Sequence, residues 1–317
     1  MLHPLLLSAL LAAPAPAAAD DKGAEPPLPY TLPAKMVQHR FFVEARAPSG
    51  EVLTLFTDTG GGMNLTTRGA DKLRLSYDKV ADAAPAEPVL GSTPWPSWSG
   101  PWIPPPRASG TRLAILQAPD WMLDDGMLGT AWFGDRTWEF DYRAGTLRLL
   151  PDGALPEVAP AHRVALGFQS GDDGGHTTHF PRIQARIDGE TLQFLFDTGA
   201  TFRLDAAAAK ALGDASVDQR AGSFINAGVM RRWRERHPDW PYLAQGDGKA
   251  AMIQVPGIEI AGYTAGPVWF SERPDKAFRE YMAQWMDQPV DGALGGNAFR
   301  DFRISVDYPS ATATFER

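Results

Sequence analysis

Between Ile183 and Phe196 the chain changes its hydrophobic rhythm. Ile183, Ala185 and Ile187 alternate with polar neighbours, the period-two pattern of a strand with one buried face. Asp188-Gly189 then supplies a pair suited to a two-residue hairpin turn. Leu192 to Phe196 follows as a near-continuous apolar run, which predicts a strand buried on both faces. An earlier stretch keeps the same order, with Phe42 and Val43, the turn Pro48-Ser49-Gly50, and then the run Val52 to Phe56. Each run ends in Asp-Thr-Gly, at Asp58 and at Asp197, so each predicted strand carries an aspartate from the interior to a turn, where glycine accepts backbone conformations that other residues resist. Helix-like pieces come next, Thr66 to Leu73 and Leu204 to Leu212, the second stopped by Gly213. Two later segments also read as helical. The basic run Met230 to Arg236 fits a solvated helix face, and in Lys276 to Met286 the residues Phe278, Tyr281, Met282 and Trp285 form an amphipathic stripe expected to face the core.

The recurrence extends well beyond three residues. Gly50 to Leu65 lies over Gly189 to Leu204 at an offset of 139 with seven of sixteen positions identical, where chance gives about one. Asp125 to Leu150 lies over Asp291 to Glu316 at an offset of 166 with nine of twenty-six identical. The two offsets differ by 27, the extra length that the second half carries between its blocks. Internal repetition of this kind predicts a repeated structural unit. With the Pro/Ala-rich stretch 151–160 as linker, the expected units are residues 34–150 and 161–317, both mainly β.

Composition removes most other architectures. The chain of 317 residues has no cysteine, which excludes disulfide scaffolds, thiolate metal sites and cysteine nucleophiles. A formal charge of −8, with 30 basic against 38 acidic residues, argues against a nucleic-acid partner, whose phosphates call for a clustered basic surface. Met1 to Ala19 carries no Asp, Glu, Lys or Arg, has an apolar run from Leu5 to Ala13 and ends in Ala17-Ala18-Ala19, the features of a signal peptide. Its apolar run is shorter than the roughly 20 residues of a membrane span. The chain is therefore expected to be exported, periplasmic or secreted, without a stable membrane span. Residues 20–33, rich in Pro, Ala and acid, are expected to form a flexible lead-in.

The paired motifs resemble those of the aspartic proteases, both the bilobal pepsin-like enzymes and the retropepsin-like family. Each half supplies an apolar strand ending in Asp-Thr-Gly and, later, an apolar-apolar-Gly segment, Met127-Leu128-Gly129 and Ala293-Leu294-Gly295. Each half closes with a strand of related pattern, Phe140-Asp141-Tyr142 and Val306-Asp307-Tyr308, more like the bacterial retropepsin-like proteins. The resemblance implies two homologous retropepsin-like (acid-protease) β lobes with an active-site cleft between them. It implies Asp58 and Asp197 as the catalytic pair, Thr59 and Thr198 as residues bracing the two loops, and Gly60 and Gly199 as the backbone that orients the carboxylates. Where pepsin-like enzymes follow the motif with Ser, this chain has Gly61 and Ala200; Ala is the retropepsin choice, and Gly61-Gly62 predicts a looser first loop. A flap is expected between Ser76 and Leu116, where Pro94 to Pro106 carries Trp95, Trp98 and Trp102. These rings are expected to line or cover the cleft as contacts for an extended peptide, the alternative being a stiff polyproline-like loop packed on the lobe.

Elementary electrostatics points the same way. Peptide hydrolysis without metal or covalent nucleophile needs a base for the attacking water and an acid for the carbonyl, facing each other. Two carboxylates about 4 Å apart repel by about 4 kcal/mol at an effective dielectric of 20, a factor of about a thousand in proton affinity, so one proton stays between them in the acidic range. The expected activity is that of an aspartic endopeptidase acting on peptide or protein substrates as a monomer, with no metal and no cofactor. The alternative is a non-catalytic peptide-binding protein of the same fold. His176-Thr177-Thr178-His179 has no third ligand at a recognisable spacing, so a metal reading is set aside. A Gly-x-Ser-x-Gly elbow and a phosphate-binding Gly-x-x-x-x-Gly-Lys loop are both absent.

Overall fold

The computed structural model describes residues 25–79, 89–117, 124–213, 215–216 and 218–317. The expected signal peptide and the lead-in up to residue 24 lie outside the described residues. Strands account for 42% of the structure and helix for 16%, so the class is mainly β. Among the described residues no helix is long and apolar enough to cross a membrane.

Both predicted hairpins form. In the second, Arg182–Ile187 pairs with Glu190–Phe196 from Ile187↔Glu190 to Arg182↔Leu195. Asp188 and Gly189 both take positive φ, 51° and 79°, the backbone of a type I′ turn. Ile183, Ala185 and Ile187 are buried. Leu192, Phe194 and Phe196 join the main core on one face of their strand, while Leu195 is covered on the other by Phe278, Met286, Val290 and Ala293. The first hairpin pairs Arg40–Arg46 with Val52–Thr57. Here the expectation of burial on both faces fails: Leu53, Leu55 and Thr57 are buried, Val52 is exposed, and Thr54 and Phe56 are half-buried. That second face borders open space.

Pairing around each hairpin follows one scheme. Val52–Thr57 runs parallel to Gly126–Leu128, which pairs antiparallel with Asn64–Thr66, which runs parallel to Arg112–Leu116. In the second half Glu190–Phe196 runs parallel to Gly292–Leu294, antiparallel to Ser223–Asn226, and that strand runs parallel to Val268–Arg273. These strands belong to an eight-stranded and a nine-stranded sheet. Leu65 pairs with Gly126 and Ile225 with Gly292, so Leu65 corresponds to Ile225, an offset of 160. Against 139 at the Asp-Thr-Gly motif, 21 of the 27 extra residues therefore fall between Gly199 and Ser223. They build an excursion in which Thr201–Arg203 pairs with Gln219–Ala221 around the helix Ala206–Ala211.

This placement changes the reading of the helices. Thr67–Lys72 forms with Thr66 as its N-cap, the side chain accepting from the Gly69 amide. Ala206–Ala211 also forms, capped by Asp205 and followed by Gly213 at φ 97°, but it lies inside the excursion. The structural counterpart of the first helix is the basic segment Ala227–Arg236, which follows Ser223–Asn226 and buries Val229, Met230 and Trp233. In 276–286 the stripe is only half right: Phe278 is buried and Met282 packs beside it, whereas Tyr281 is 64% and Trp285 44% exposed. A wide turn of π type, Ala277–Tyr281, followed by a tight 3-10 turn, Met282–Gln284, shifts the side-chain rotation away from the 3.6-residue spacing on which the stripe was drawn.

A six-stranded sheet joins the two ends of the sequence, in the order 30–31, 146–150, 137–141, 303–307, 312–316, 163–165. Its central rung sets Thr137–Asp141 antiparallel to Arg303–Asp307, with Thr137 Oγ1 donating to Asp307 Oδ1 at 2.7 Å in the interior. Tyr30–Thr31 forms its edge, the Leu32 amide donates to the Leu147 carbonyl, and Leu32 is buried, so the expected flexible lead-in is ordered by residue 30. Residues 151–159 contain no strand or helix and connect the two halves. One apolar cluster runs through both, and Phe140 sits at its junction, with ring centroids 6.2 Å from Phe41, 5.5 Å from Phe133 and 6.0 Å from Phe196. Phe140→Ala should cost about 3–5 kcal/mol, as truncation of a fully buried aromatic does, and should lower the urea midpoint of the whole chain in one transition.

Candidate active site

The residues Asp58 and Asp197 come together where the two hairpin strands end. Each aspartate amide donates to the carbonyl of the parallel segment behind it, Asp58 to Leu128 at 3.0 Å and Asp197 to Leu294 at 2.9 Å. The Met127-Leu128-Gly129 and Ala293-Leu294-Gly295 segments thus hold the loops from behind. Between the loops the threonines exchange bonds across 139 residues of sequence. The Thr59 amide donates to Thr198 Oγ1 at 3.2 Å, the Thr198 amide to Thr59 Oγ1 at 3.0 Å, and the Thr59 hydroxyl to the Phe196 carbonyl at 2.6 Å. Both threonines are fully buried, so losing any of these partners leaves an unsatisfied polar group in the interior.

Glycine is required at the two crossings. A Cβ at Gly199 would stand 2.1 Å from Asp58 Cγ, and one at Gly60 would stand 2.6 Å from Asp197 Cγ. Each carboxylate therefore lies against the backbone of the opposite loop. Each also accepts from its own loop, Asp58 Oδ1 from the Gly60 amide at 2.8 Å and Asp197 Oδ1 from the Gly199 amide at 3.1 Å. Of the Gly61-Gly62 pair expected to loosen the first loop, Gly61 is held, whereas Gly62 is exposed with open space beside it. The Gly61 amide donates to the Asp58 carbonyl, the Thr130 amide donates to the Gly61 carbonyl at 2.8 Å, and a Cβ at Gly61 would meet Asp58 Oδ2 at 2.5 Å.

The two carboxyl groups are close enough to share a proton. Burial pushes both above the ordinary carboxylate range. The charge of Asp58 pushes Asp197 further, well above that range, while the Gly60 amide pulls Asp58 and the Gly199 amide pulls Asp197 partly back. Asp58 keeps some accessible surface because it faces a pocket, with protein on its other sides. The pair thus retains one proton to a higher pH than an isolated carboxylate would, and titrates as a unit.

An open pocket of about 320 Å³ lies over the pair. Its first wall comes from Arg40, Phe56, Asp124 and Met127, and its second from Gly199, Ala200, Thr201, Arg203, Gln219, Phe224 and Arg273. Thr201, Arg203 and Gln219 belong to the excursion, so that extra chain forms part of the wall. Arg273 is neutralised by Asp247 at 2.7 Å and lies 3.9 Å over the Phe224 ring. A larger surface hollow around Asp141 and Arg303 contains neither aspartate of the pair.

Trp95, Trp98 and Trp102 do not line this pocket, which corrects their expected role. All three are half-buried against the main core. Trp95 and Trp98 meet edge to face at 5.9 Å, Trp102 meets Tyr30 at 5.7 Å, and the loop is tied by Ser99 N to the Arg46 carbonyl at 2.8 Å and by Trp132 Nε1 to the Pro104 carbonyl at 2.7 Å. Arg46 pairs with Val52, six residues before Asp58, which is about 20 Å along a strand. The packed-loop alternative describes these rings. Asp78–Lys79 does pair with Val89–Pro94 in the region expected for a flap; the intervening residues 80–88 lie outside the described residues.

His179 approaches Asp135 at 3.1 Å and His176 stacks on Phe168, and no group of three His, Asp or Glu side chains suited to a metal occurs among the described residues. Arg40, Asp124, Gln219 and Arg273 were not anticipated as pocket residues. Arg40 was within reach of a register argument: the hairpin pairs Arg46 with Val52 and Phe42 with Phe56, and two further residues place Arg40 opposite Asp58. The other three arrive through long-range packing. No protein-family model matches the chain, and no curated protein matches it.

Thr59→Ala should destabilise by about 1–3 kcal/mol through the orphaned Thr198 amide and Phe196 carbonyl, read as a lowered denaturant midpoint with unchanged slope. The carboxylate pair also predicts a pH dependence. Both folded-state values lie above the ordinary 3.8, so the stabilisation from bound protons is complete below about pH 3.8 and is lost as pH rises through the folded values. Asp197→Asn removes part of that loss. Relative to wild type it should gain stability between about pH 4 and pH 7, checked by urea unfolding across that range.

Proposed function

We propose that the chain is an exported aspartic endopeptidase of bilobal, retropepsin-like type, hydrolysing peptide bonds with a water activated by Asp58 and Asp197. The observation that carries this reading is the pair of hydrogen-bonded carboxyls at the ends of two equivalently paired strands, braced by reciprocal threonine bonds at the base of an open pocket. In the proposed reaction a water between the carboxyls loses a proton to the ionised member while the protonated member donates to the scissile carbonyl, giving a tetrahedral gem-diol. Collapse of that intermediate returns a proton to the leaving amine, and the carboxyls exchange roles. The Gly60 and Gly199 amides keep each carboxylate oriented through the cycle.

The two proposed lobes are the halves that contribute one Asp-Thr-Gly each, with the pocket as the cleft between them. Both carboxyls come from one chain, so a monomer suffices. Export rests on the sequence of Met1 to Ala19.

Asp58→Asn and Asp197→Asn should each lower kcat/KM on a diverse peptide mixture by at least about 100-fold, the scale of lost general acid–base catalysis, measured at about pH 4–6 by mass spectrometry of the products. A statine-type peptide, whose hydroxyl imitates the gem-diol, should block wild-type cleavage. Cleavage retained by either variant overturns the reading. Binding of the statine peptide without any cleavage by the wild type would instead support a peptide-binding protein.

A further inference from the structure

Arg40 is the pocket residue whose chemistry the paired carboxyls leave unused. It is 8% exposed, and burial lowers its proton affinity even though the fields of Asp124 and Asp218 oppose that change. Its direct partners are the Phe42 ring, whose centroid lies 5.4 Å from the guanidinium carbon, and Gln219. Nη1 reaches Gln219 Oε1 at 3.4 Å and Nη2 the Gln219 carbonyl at 3.2 Å, both long, and Nε has no partner. It makes no ion pair within 4.0 Å among the described residues. A buried guanidinium left in this state is costly, and a planar fork of donors is the group that a carboxylate satisfies best.

Position in the fold gives the same direction. The strand register places Arg40 opposite Asp58, on the same face as Phe42, Phe56 and Asp58, and Arg40, Phe56 and Asp58 all line the pocket. In the other half the register runs Arg182↔Leu195 and, two residues further, sets Phe180 opposite Asp197. Phe180 packs on an apolar cluster. The architecture is thus served by an apolar ring at this position, and the arginine is a departure on one side of the pocket only. The carboxyl facing the same pocket, Asp124, makes no ion pair with Arg40 within 4.0 Å.

We propose that Arg40 is a specificity-determining residue that receives an acidic side chain, Glu or Asp, of the peptide bound beside Asp58 and Asp197. This deepens the endopeptidase reading and rests on it. The test uses fluorogenic peptides identical except for Glu, Gln or Leu at each of three positions on either side of the cleaved bond, with kcat/KM measured at about pH 5.5 for wild type, Arg40→Met and Arg40→Lys. Wild type should prefer Glu over Gln by about 10-fold or more at one position, as a charge-assisted bond provides. That ratio should fall to about one in Arg40→Met and survive in part in Arg40→Lys. Wild type cleaving the Glu and Gln peptides equally at every position overturns the proposal and leaves the endopeptidase reading standing, as does a ratio preserved in folded Arg40→Met. If Arg40→Met does not fold, the wild-type ratio and Arg40→Lys decide. If wild type cleaves no peptide, the endopeptidase reading fails, and calorimetry with statine peptides carrying Glu or Gln decides the arginine separately. Tighter binding of the Glu form that is lost on substitution upholds it; equal affinity, or no binding of either form, overturns it.

Discussion

Two carboxyl groups in hydrogen-bond contact inside a protein repel unless a proton lies between them, and the backbone around them must withstand that repulsion without relaxing. The rest of this architecture can be understood as the means of meeting that constraint. At an effective dielectric of 20 the charge–charge term is about 4 kcal/mol at 4 Å, comparable with the net worth of several hydrogen bonds. The reciprocal Thr59 and Thr198 bonds, the amides of Gly60 and Gly199, and the Leu128 and Leu294 carbonyls that receive the aspartate amides form a closed set around the pair. Every member lies on backbone or on a short β-branched side chain, with little rotamer freedom to absorb the strain.

Such a set works only if both loops are placed to within a fraction of an ångström, and the sheets supply that placement. Each loop is the end of a strand hydrogen-bonded on both sides, and the six-stranded sheet couples the two halves through the Thr137–Asp141 and Arg303–Asp307 rung. The core is continuous across this junction through Phe140, Phe196 and Phe299. Without a cysteine anywhere in the chain, apolar packing, sheet pairing and the threonine bonds oppose separation of the loops. Glycine at 60 and 199 then follows from geometry: any side chain there would occupy the volume of the opposite carboxyl.

Much of this was legible in the chain before folding. The alternation at Ile183, Ala185 and Ile187, the Asp188-Gly189 turn and the apolar approach to Asp197 are local properties, and local physics realises them. The recurrence of Asp-Thr-Gly foretold that two aspartates would occupy equivalent positions. What escaped was set by distance in sequence. An ungapped comparison placed Leu65 over Leu204, whereas strand pairing places it over Ile225, because the inserted residues begin immediately after the second motif. The tryptophans of 94–106 carried a plausible aromatic signal, but their direction depends on where Ser99 meets Arg46, a contact 53 residues apart. In 276–286 the departure from regular helical geometry turned Tyr281 and Trp285 outward, which composition cannot foretell.

The equivalence of the halves is also where their differences acquire meaning. On the first strand the face of Phe56 is open to the pocket, and on the second the corresponding face at Leu195 is sealed by Phe278 and Met286. The excursion 201–221 reaches across to the first half, the Ala221 amide donating to the Gln38 carbonyl at 3.0 Å and Gln219 contacting Arg40. One half therefore leaves its face beside the pair open, and the other supplies additional chain to wall it. A symmetric scaffold is sufficient to oppose two aspartates. In this chain the asymmetry is concentrated in the inserted strands and in the arginine they touch, and neither is needed to hold the carboxyl pair together.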